Sequence, residues 1–389
     1  MFPVFYGHFL CHFIMGIFPA LVIPLTDALK LSVADVLALS FLQFLFFGVT
    51  SVAWGALGDR VGGVPLLKVM FAGCSLSTIA CAWFLGSSSH LYYALGSVGI
   101  FTGIYHPIGM GLISRSAPKL NLAMGYVAAF GGLGMALAPF ITGVICWTMG
   151  PGYPFIFAAI LSATGLILCR GLQDQGEHPT VASKHSPNGI KYMPLITLLV
   201  SMVLAGMVAT GSTVVFPAFL ELGAKDFQSY FLGIFPHLPS NAFFMSIVSV
   251  IQLIGVVGQL SGGIIGQKYG PKISYVTCHA VCMFLSFLMS AVSGYQLIML
   301  SSVYFFFLLG NQSMENAILA GTVPKRFQHS IFGLKYILYF GVGSFSVKFM
   351  SWVQSTYGIH YSFAGLGIIS GLLVISLLLF CLVDRTNIQ

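Results

Sequence analysis

The sequence predicts an all-α polytopic membrane protein with twelve transmembrane helices in two pseudo-symmetric bundles of six, and three observations lead there. The first is composition. Hydrophobic residues fill 57% of 389 positions and charged residues only 6%, with a mean hydropathy of +0.95, whereas an ordinary soluble domain carries about 25% charged residues. So few charges cannot cover a water-facing surface of this size, and in lipid only helices or closed barrels satisfy their own backbone. The second is run length. Apolar stretches of about 20 residues, without strand-like alternation, match what a helix needs to cross a ~30 Å hydrocarbon core. The third is a repeated phrase: Gly55-Ala-Leu-Gly58-Asp59-Arg60-Val61-Gly62-Gly63 returns 208 residues later as Gly263-Ile-Ile-Gly266-Gln267-Lys268-Tyr269-Gly270-Pro271-Lys272. In each copy an apolar run stops at small residues, turns on polar and cationic ones, and another apolar run begins.

Taken in order, the apolar runs place spans at 4–26, 36–57, 64–85, 91–113, 122–146 and 153–170, then 193–216, 241–265, 273–293, 296–320, 330–352 and 361–383. The expected organisation is an N-terminal six-helix bundle at 1–170, a cytoplasmic linker at 171–192 and a C-terminal six-helix bundle at 193–389. The linker carries Asp174, Glu177, His178, Lys184, His185 and Lys191 with Pro179, Pro187 and Gly189, a composition that does not cross lipid. The first run begins almost at Met1, with no basic region before it and no small-residue cleavage site after it, and reads as a retained span.

A net charge of +7 would suggest a nucleic-acid partner in a soluble protein. Here the cations sit in short loops and report orientation instead. With a cytoplasmic N-terminus, Arg60, Lys68, Arg115, Lys119, Arg170, Lys184, Lys191, Lys268, Lys272, Lys325, Arg326 and Arg385 lie inside, and only Lys30 and Lys225 lie outside. This predicts both termini in the cytoplasm of a bacterial inner (plasma) membrane. Lys335 and Lys348 fall within the eleventh span, and the loop after Pro217 carries Phe227, Tyr230, Phe231 and Phe235 as an interfacial aromatic cap. The eight cysteines lie in or beside apolar runs and read as small hydrophobes, with no disulfide framework and no zinc spacing.

Twelve spans in two halves, with a Gly-x-x-Gly-Asp-Arg-x-Gly hinge between spans two and three and a degraded copy between eight and nine, resemble the major facilitator superfamily over the whole chain. That resemblance implies parallel halves built from inverted repeats, with the substrate near the midplane; the superfamily is a standing example of this geometry. Within it, Gly7-His8-Phe9 followed by Gly16, Pro19 and Pro24, and Tyr105-His106-Pro107 in span four, are similar to the fosmidomycin-resistance type of drug-efflux transporter. Gly131-Gly132-Leu133-Gly134 with Pro139 and Gly143 is similar to the glycine-rich fifth span of exporters. In such relatives acidic residues commonly stand where this chain has His12 and Ile108, which sets it apart from typical proton-driven drug export. The resemblance also implies a gating role for Gly55, Gly58, Asp59, Arg60 and Gly62, with Asp59 latching the cytoplasmic ends; the second copy, Gln267-Lys268, has lost the acid.

Charged groups inside a span cost about 2.5–3.5 kcal/mol or more, so each needs a partner or a purpose. Glu315 is the one carboxylate placed inside a span, and Lys335 lies about as far from the intervening turn, so an ion pair between spans ten and eleven is expected. Two readings stand: a structural pair, or an acid facing the cavity that binds a proton or a cationic group. Under the 208-residue shift His106 falls on Met314, beside Glu315, which puts a titratable imidazole and the acid on facing sides of the pseudo-twofold axis. The alternative for His106 is a hydrogen-bonded histidine bracing the kink at Pro107. His8, Cys11 and His12 share one helix face, either as polar lining or as ligands for a soft metal, with lining preferred and no resident metal or cofactor expected. Cys278, His279 and Cys282 pose the same question more weakly. Tyr105, Tyr304, Asn311, Gln312, Asn316 and Tyr336 are the candidate substrate contacts, and Gly131, Gly132, Gly134 and Pro139 the expected packing surface of a rocking interface.

The function expected is that of a monomeric secondary transporter moving a small organic solute by alternating access, coupled to protons. Export is preferred, and uptake of a siderophore, metal chelate or nutrient is the alternative. A membrane-embedded receptor or enzyme is the reading from another class. Against an enzyme stands the lack of Gly-x-Ser-x-Gly, His-Glu-x-x-His or Walker spacing.

Overall fold

In the computed structural model, which describes residues 1–116, 120–173, 192–232, 237–323 and 328–384, the chain is helical nearly throughout, and strands are absent from those residues. The first half contains α1 (Phe2–Ala20), α2 (Val22–Leu29), α3 (Val33–Leu39), α4 (Phe41–Val61), α5 (Gly63–Trp83), α6 (Ser88–Thr102), α7 (Tyr105–Ser116), α8 (Leu120–Met149) and α9 (Tyr153–Leu168). The second contains α10 (Tyr192–Gly223), α11 (Lys225–Leu232), α12 (Ser240–Tyr269), α13 (Pro271–Ala291), α14 (Gly294–Thr322), α15 (Gln328–Tyr336), α16 (Phe345–Tyr357) and α17 (Tyr361–Val383). A π-helical turn, Ile337–Val342, joins α15 to α16. Among the described residues nine helical stretches are long and apolar enough to cross a membrane, so the protein is a multi-pass membrane protein. Residues 174–191 of the expected linker, with its acids, histidines and lysines, lie outside the described residues. So do Lys119, Lys325, Arg326, Arg385 and Phe235, and the side chains of Arg115 and Phe231.

Several spans that the sequence reads as continuous are broken, and prolines explain where. Pro19 lies in the last turn of α1, and the chain restarts as α2 after Leu21. In span four the break at Gly103 and Ile104 precedes Tyr105-His106-Pro107. Pro107 has no N–H to give the carbonyl four residues back, which is that of Gly103. The Ser51 hydroxyl lies 3.2 Å from that carbonyl and 2.8 Å from the Phe47 carbonyl, so α4 supplies the donor that α7 lacks. Pro139, by contrast, leaves α8 unbroken from Leu120 to Met149, and the next amide, that of Phe140, donates to the Ser249 hydroxyl of α12 at 2.8 Å.

The duplicated hinge turns on matched glycines. Gly62, between α4 and α5, has φ 89°, and Gly270, between α12 and α13, has φ 87°. The same shift of 208 relates Gly150 (φ 108°) to Gly358 (φ 93°), each at a helix end before the last span of its half. With ψ of 160° and 133°, Gly62 and Gly270 occupy a region open essentially to glycine alone. Gly62→Ala is expected to cost about 1–3 kcal/mol and to lower the unfolding temperature in detergent. Gly86→Ala, at a site where a Cβ meets nothing within 4 Å, serves as the silent control.

The halves meet along two seams. On one, α8 runs against α12, with Gly132 facing Val256 and Gly143 facing Met245 and Ala242. On the other, α4 crosses the π-helical turn so closely that a Cβ on Gly48 would overlap the Gly341 backbone. Further contacts join the end opposite the α4–α5 turn. Asn241 Nδ2 donates to the Ala20 carbonyl at 3.1 Å and to Glu221 at 3.0 Å. There too the rings of Phe41 and Phe345 meet edge-on at 5.3 Å, and Lys348 Nζ sits 5.2 Å above Phe41.

Candidate functional site

The two seams frame a histidine cluster. His8 and His12 stand one turn apart on α1, so their rings share a face. His8 Nδ1 lies 2.7 Å from the Val127 carbonyl oxygen of α8. Only a protonated nitrogen satisfies that acceptor, so in neutral His8 the Nε2 keeps its lone pair. His12 Nε2 is 3.1 Å from His8 Nε2 and is therefore the donor between the two rings. Gly131 makes the space: a Cβ there would overlap the His8 imidazole. Tyr105 stacks on His8 with centroids 4.7 Å apart and planes 12° from parallel.

His106 joins from the first turn of α7. Its ring centroid lies 5.5 Å from that of His8 and 5.6 Å from that of His12. One nitrogen from each of the three rings lies within 4.8 Å of the other two. His8 and His106 are buried, and His106 Nε2 has no hydrogen-bond partner. The break before Pro107 is what lets His106 point here. A continuous span four would set the ring by the phase of one long helix, whereas α7 starts afresh at Tyr105.

The second half closes the other side. Tyr336 stacks on His106 at 5.1 Å and Phe340 follows at 5.8 Å, while from the first half Phe47 of α4 meets His106 edge-on at 5.4 Å. Lys335 precedes Tyr336; its Nζ is 2.7 Å from Glu315 Oε1 and 2.6 Å from Asn316 Oδ1. The Tyr275 hydroxyl donates to Glu315 Oε2 at 2.7 Å. Both charges are buried, Glu315 at 2% and Lys335 at 7% exposure. For two charges so placed the cost of desolvation can exceed the gain from their attraction, and apolar replacements of such pairs are often no less stable. Under the repeat His106 falls on Met314, next to Glu315, and it stacks on Tyr336, whose chain neighbour Lys335 pairs with Glu315.

The remaining candidates separate. Asn311 is buried with both amide atoms unpartnered, and Gln312 accepts from Gln259 Nε2 at 2.9 Å. Tyr304 pairs with Ser212 at 2.8 Å among Phe305 and Phe363, within the packing of the second half and away from the histidines. Gly55 and Gly58 pack on Pro107 and Ile108 of α7, so the hinge helix abuts the helix that carries His106. Asp59 and Arg60, and across the repeat Gln267 and Lys268, are exposed near their helix ends, with Lys268 Nζ 5.1 Å over the Tyr269 ring. Gly134 sets α8 directly on the Phe9 backbone of α1.

One expectation is corrected. Cys11 does not share the histidine face: its thiol reaches the Thr102 carbonyl at 3.6 Å, and His106 takes the third place. Nor do Cys278, His279 and Cys282 converge; Cys282 reaches the Tyr304 carbonyl at 3.8 Å, and both ring nitrogens of His279 are buried and unpartnered. Tyr275, Phe47, Phe340 and the Val127 carbonyl escaped the sequence reading. Phe340 alone left a signal, being one turn from Tyr336.

The family model of the Major Facilitator Superfamily matches residues 4–347. Among solved structures, a mutant of the nucleoside transporter NupG is similar with a TM-score of 0.78 at 12% identity, covering 97% of this chain and 99% of that one. The peptide transporter POT in complex with sulfate gives 0.76 at 14%, covering 99% and 94%. A bacterial homologue of the human lysosomal transporter Spinster, inward-facing and unoccupied, gives 0.70 at 12%, covering 99% and 96%. At these identities the likeness is one of fold. No curated protein matches the chain.

Proposed function

The chain belongs to the major facilitator superfamily and is a secondary transporter, not an enzyme; we propose that it moves a small organic solute across the inner (plasma) membrane by alternating access, coupled to protons, as a monomer with both termini cytoplasmic. The observation that carries this reading is the stack of His106 on Tyr336 at 5.1 Å, which joins titratable groups of the first half to the buried ion pair of the second.

The coupling follows from the charges. A proton taken up by the histidine cluster places a positive charge beside the turn that holds Lys335. Repulsion then weakens the hold of Lys335 on Glu315, and the released carboxylate takes a proton or a cationic group of the solute. Because the two parts of this relay sit on different halves, protonation and rocking act on the same contacts. The walls around it, Tyr105, Phe47, Tyr336 and Phe340, suit a neutral or amphipathic compound with a planar apolar portion.

The test is accumulation of labelled solutes in proteoliposomes under an imposed pH gradient, with the substrate found first by thermal stabilisation against a compound panel. Gradient-driven accumulation that collapses with a protonophore is the expected result, and its direction identifies export or uptake. Transport equally fast with and without the gradient would remove protons from the mechanism.

A further inference from the structure

The histidine cluster has a property that proton coupling does not use. We infer that His8, His12 and His106 form a binding site for one divalent transition-metal ion of the zinc class, held through three imidazole nitrogens with a fourth position open.

Geometry comes first. A tetrahedral ion with bonds of about 2.0–2.1 Å holds its ligand nitrogens about 3.3 Å apart. The Nε2 atoms of His8 and His12 are already 3.1 Å apart, and all three ligand atoms lie within 4.8 Å of one another. Modest rotation of the His106 ring, whose Nε2 is buried without a partner, completes the set. His8 is also prepared in the manner of a metal ligand: its Nδ1 donates to the Val127 carbonyl, fixing the tautomer that presents Nε2. Tyr105 on one face and the gap left by Gly131 on another hold that ring in place.

Ligand chemistry narrows the ion. Neutral imidazoles, with no thiolate or carboxylate among them, suit zinc, copper, nickel or cobalt and not magnesium or calcium. Cys11, the soft ligand nearest in sequence, is turned toward Thr102. Binding displaces one proton from its present site. His12 Nε2 now donates to His8, so that proton moves to Nδ1 of the same ring, and the freed Nε2 lone pair takes the metal. Three neutral ligands leave the charge of the ion uncompensated, so the open position favours an anionic donor from the solute or from water. Lys335 is not an obstacle, since Glu315 holds it at 2.7 Å.

The experiment uses the full chain in detergent, stripped with chelator and titrated with Co²⁺, whose visible bands report tetrahedral coordination. The wild type is expected to bind one Co²⁺ per chain, displaced by Zn²⁺. His12→Gln and His106→Gln should each weaken binding by at least the roughly 10–100-fold that loss of an outer-shell partner costs elsewhere. His279→Gln, a buried histidine outside the cluster, should leave binding unchanged. Monodisperse elution and an unaltered unfolding temperature keep the variants interpretable. Absence of tetrahedral bands in the wild type, or equal binding by wild type and both cluster variants, overturns the site. Binding needs no gradient and no solute, and proton-driven transport is measured in chelator-treated vesicles, so each reading can fail without the other.

Discussion

Glu315→Gln is expected to abolish accumulation driven by a pH gradient. The carboxylate is 2% exposed, ion-paired through Oε1 with Lys335 at 2.7 Å and hydrogen-bonded through Oε2 by the Tyr275 hydroxyl at 2.7 Å. The amide keeps the shape and loses the charge. Two consequences must be kept apart, because a buried Lys335 without its partner destabilises the fold by about 3–5 kcal/mol, and a partly unfolded transporter also fails to accumulate solute. Glu315→Gln with Lys335→Met removes both charges together, and such paired replacements are often neutral or stabilising. The double variant is therefore expected to regain the unfolding temperature of the wild type while remaining inert to the gradient. Its residual movement of solute down a concentration gradient would show that the halves still rock. A double variant that accumulates solute as the wild type does would reduce the pair to a brace between α13, α14 and α15.

The fold was largely legible, because its determinants are compositional and periodic. Run length set the spans, and the repeated phrase set the symmetry that the paired glycines at 62 and 270 now express in their backbone. The ion pair was legible too, since two rare charges at equal distance from a turn have few other partners in lipid. The histidine cluster was half legible. The i, i+4 spacing tied His8 to His12, but helical phase also put Cys11 on that face, and the direction of one thiol is decided by the Thr102 carbonyl on another helix. His106 joins because Pro107 breaks span four and Ser51 takes over the orphaned Gly103 carbonyl. A proline signals the break; the ring orientation it permits is set only when α4, α7 and α1 pack. Tyr275 and the Val127 carbonyl act through tertiary position alone and leave no mark in the chain.

Gly48→Ala is expected to suppress transport by about tenfold or more, a barrier change of roughly 1.4 kcal/mol, while leaving the unfolding temperature close to that of the wild type. A Cβ on Gly48 would overlap the backbone of Gly341 in the π-helical turn. Overpacking of this kind costs about 1–3 kcal/mol or more where the neighbour cannot yield, and backbone yields least. The position of the contact decides how the chain responds. Gly48 and Gly341 belong to opposite halves, so a rocking protein escapes the overlap by populating the states in which α4 and the turn are apart, without unfolding. A transporter that must pass through both states is slowed by whatever disfavours one of them. Gly134→Ala is the contrast. Its Cβ would overlap the Phe9 carbonyl of α1, inside the first half, where no rocking motion relieves it. That variant should lose stability and transport together. Should Gly48→Ala lower the unfolding temperature as far as Gly134→Ala does, the α4 seam is permanent packing, and alternating access must pivot elsewhere.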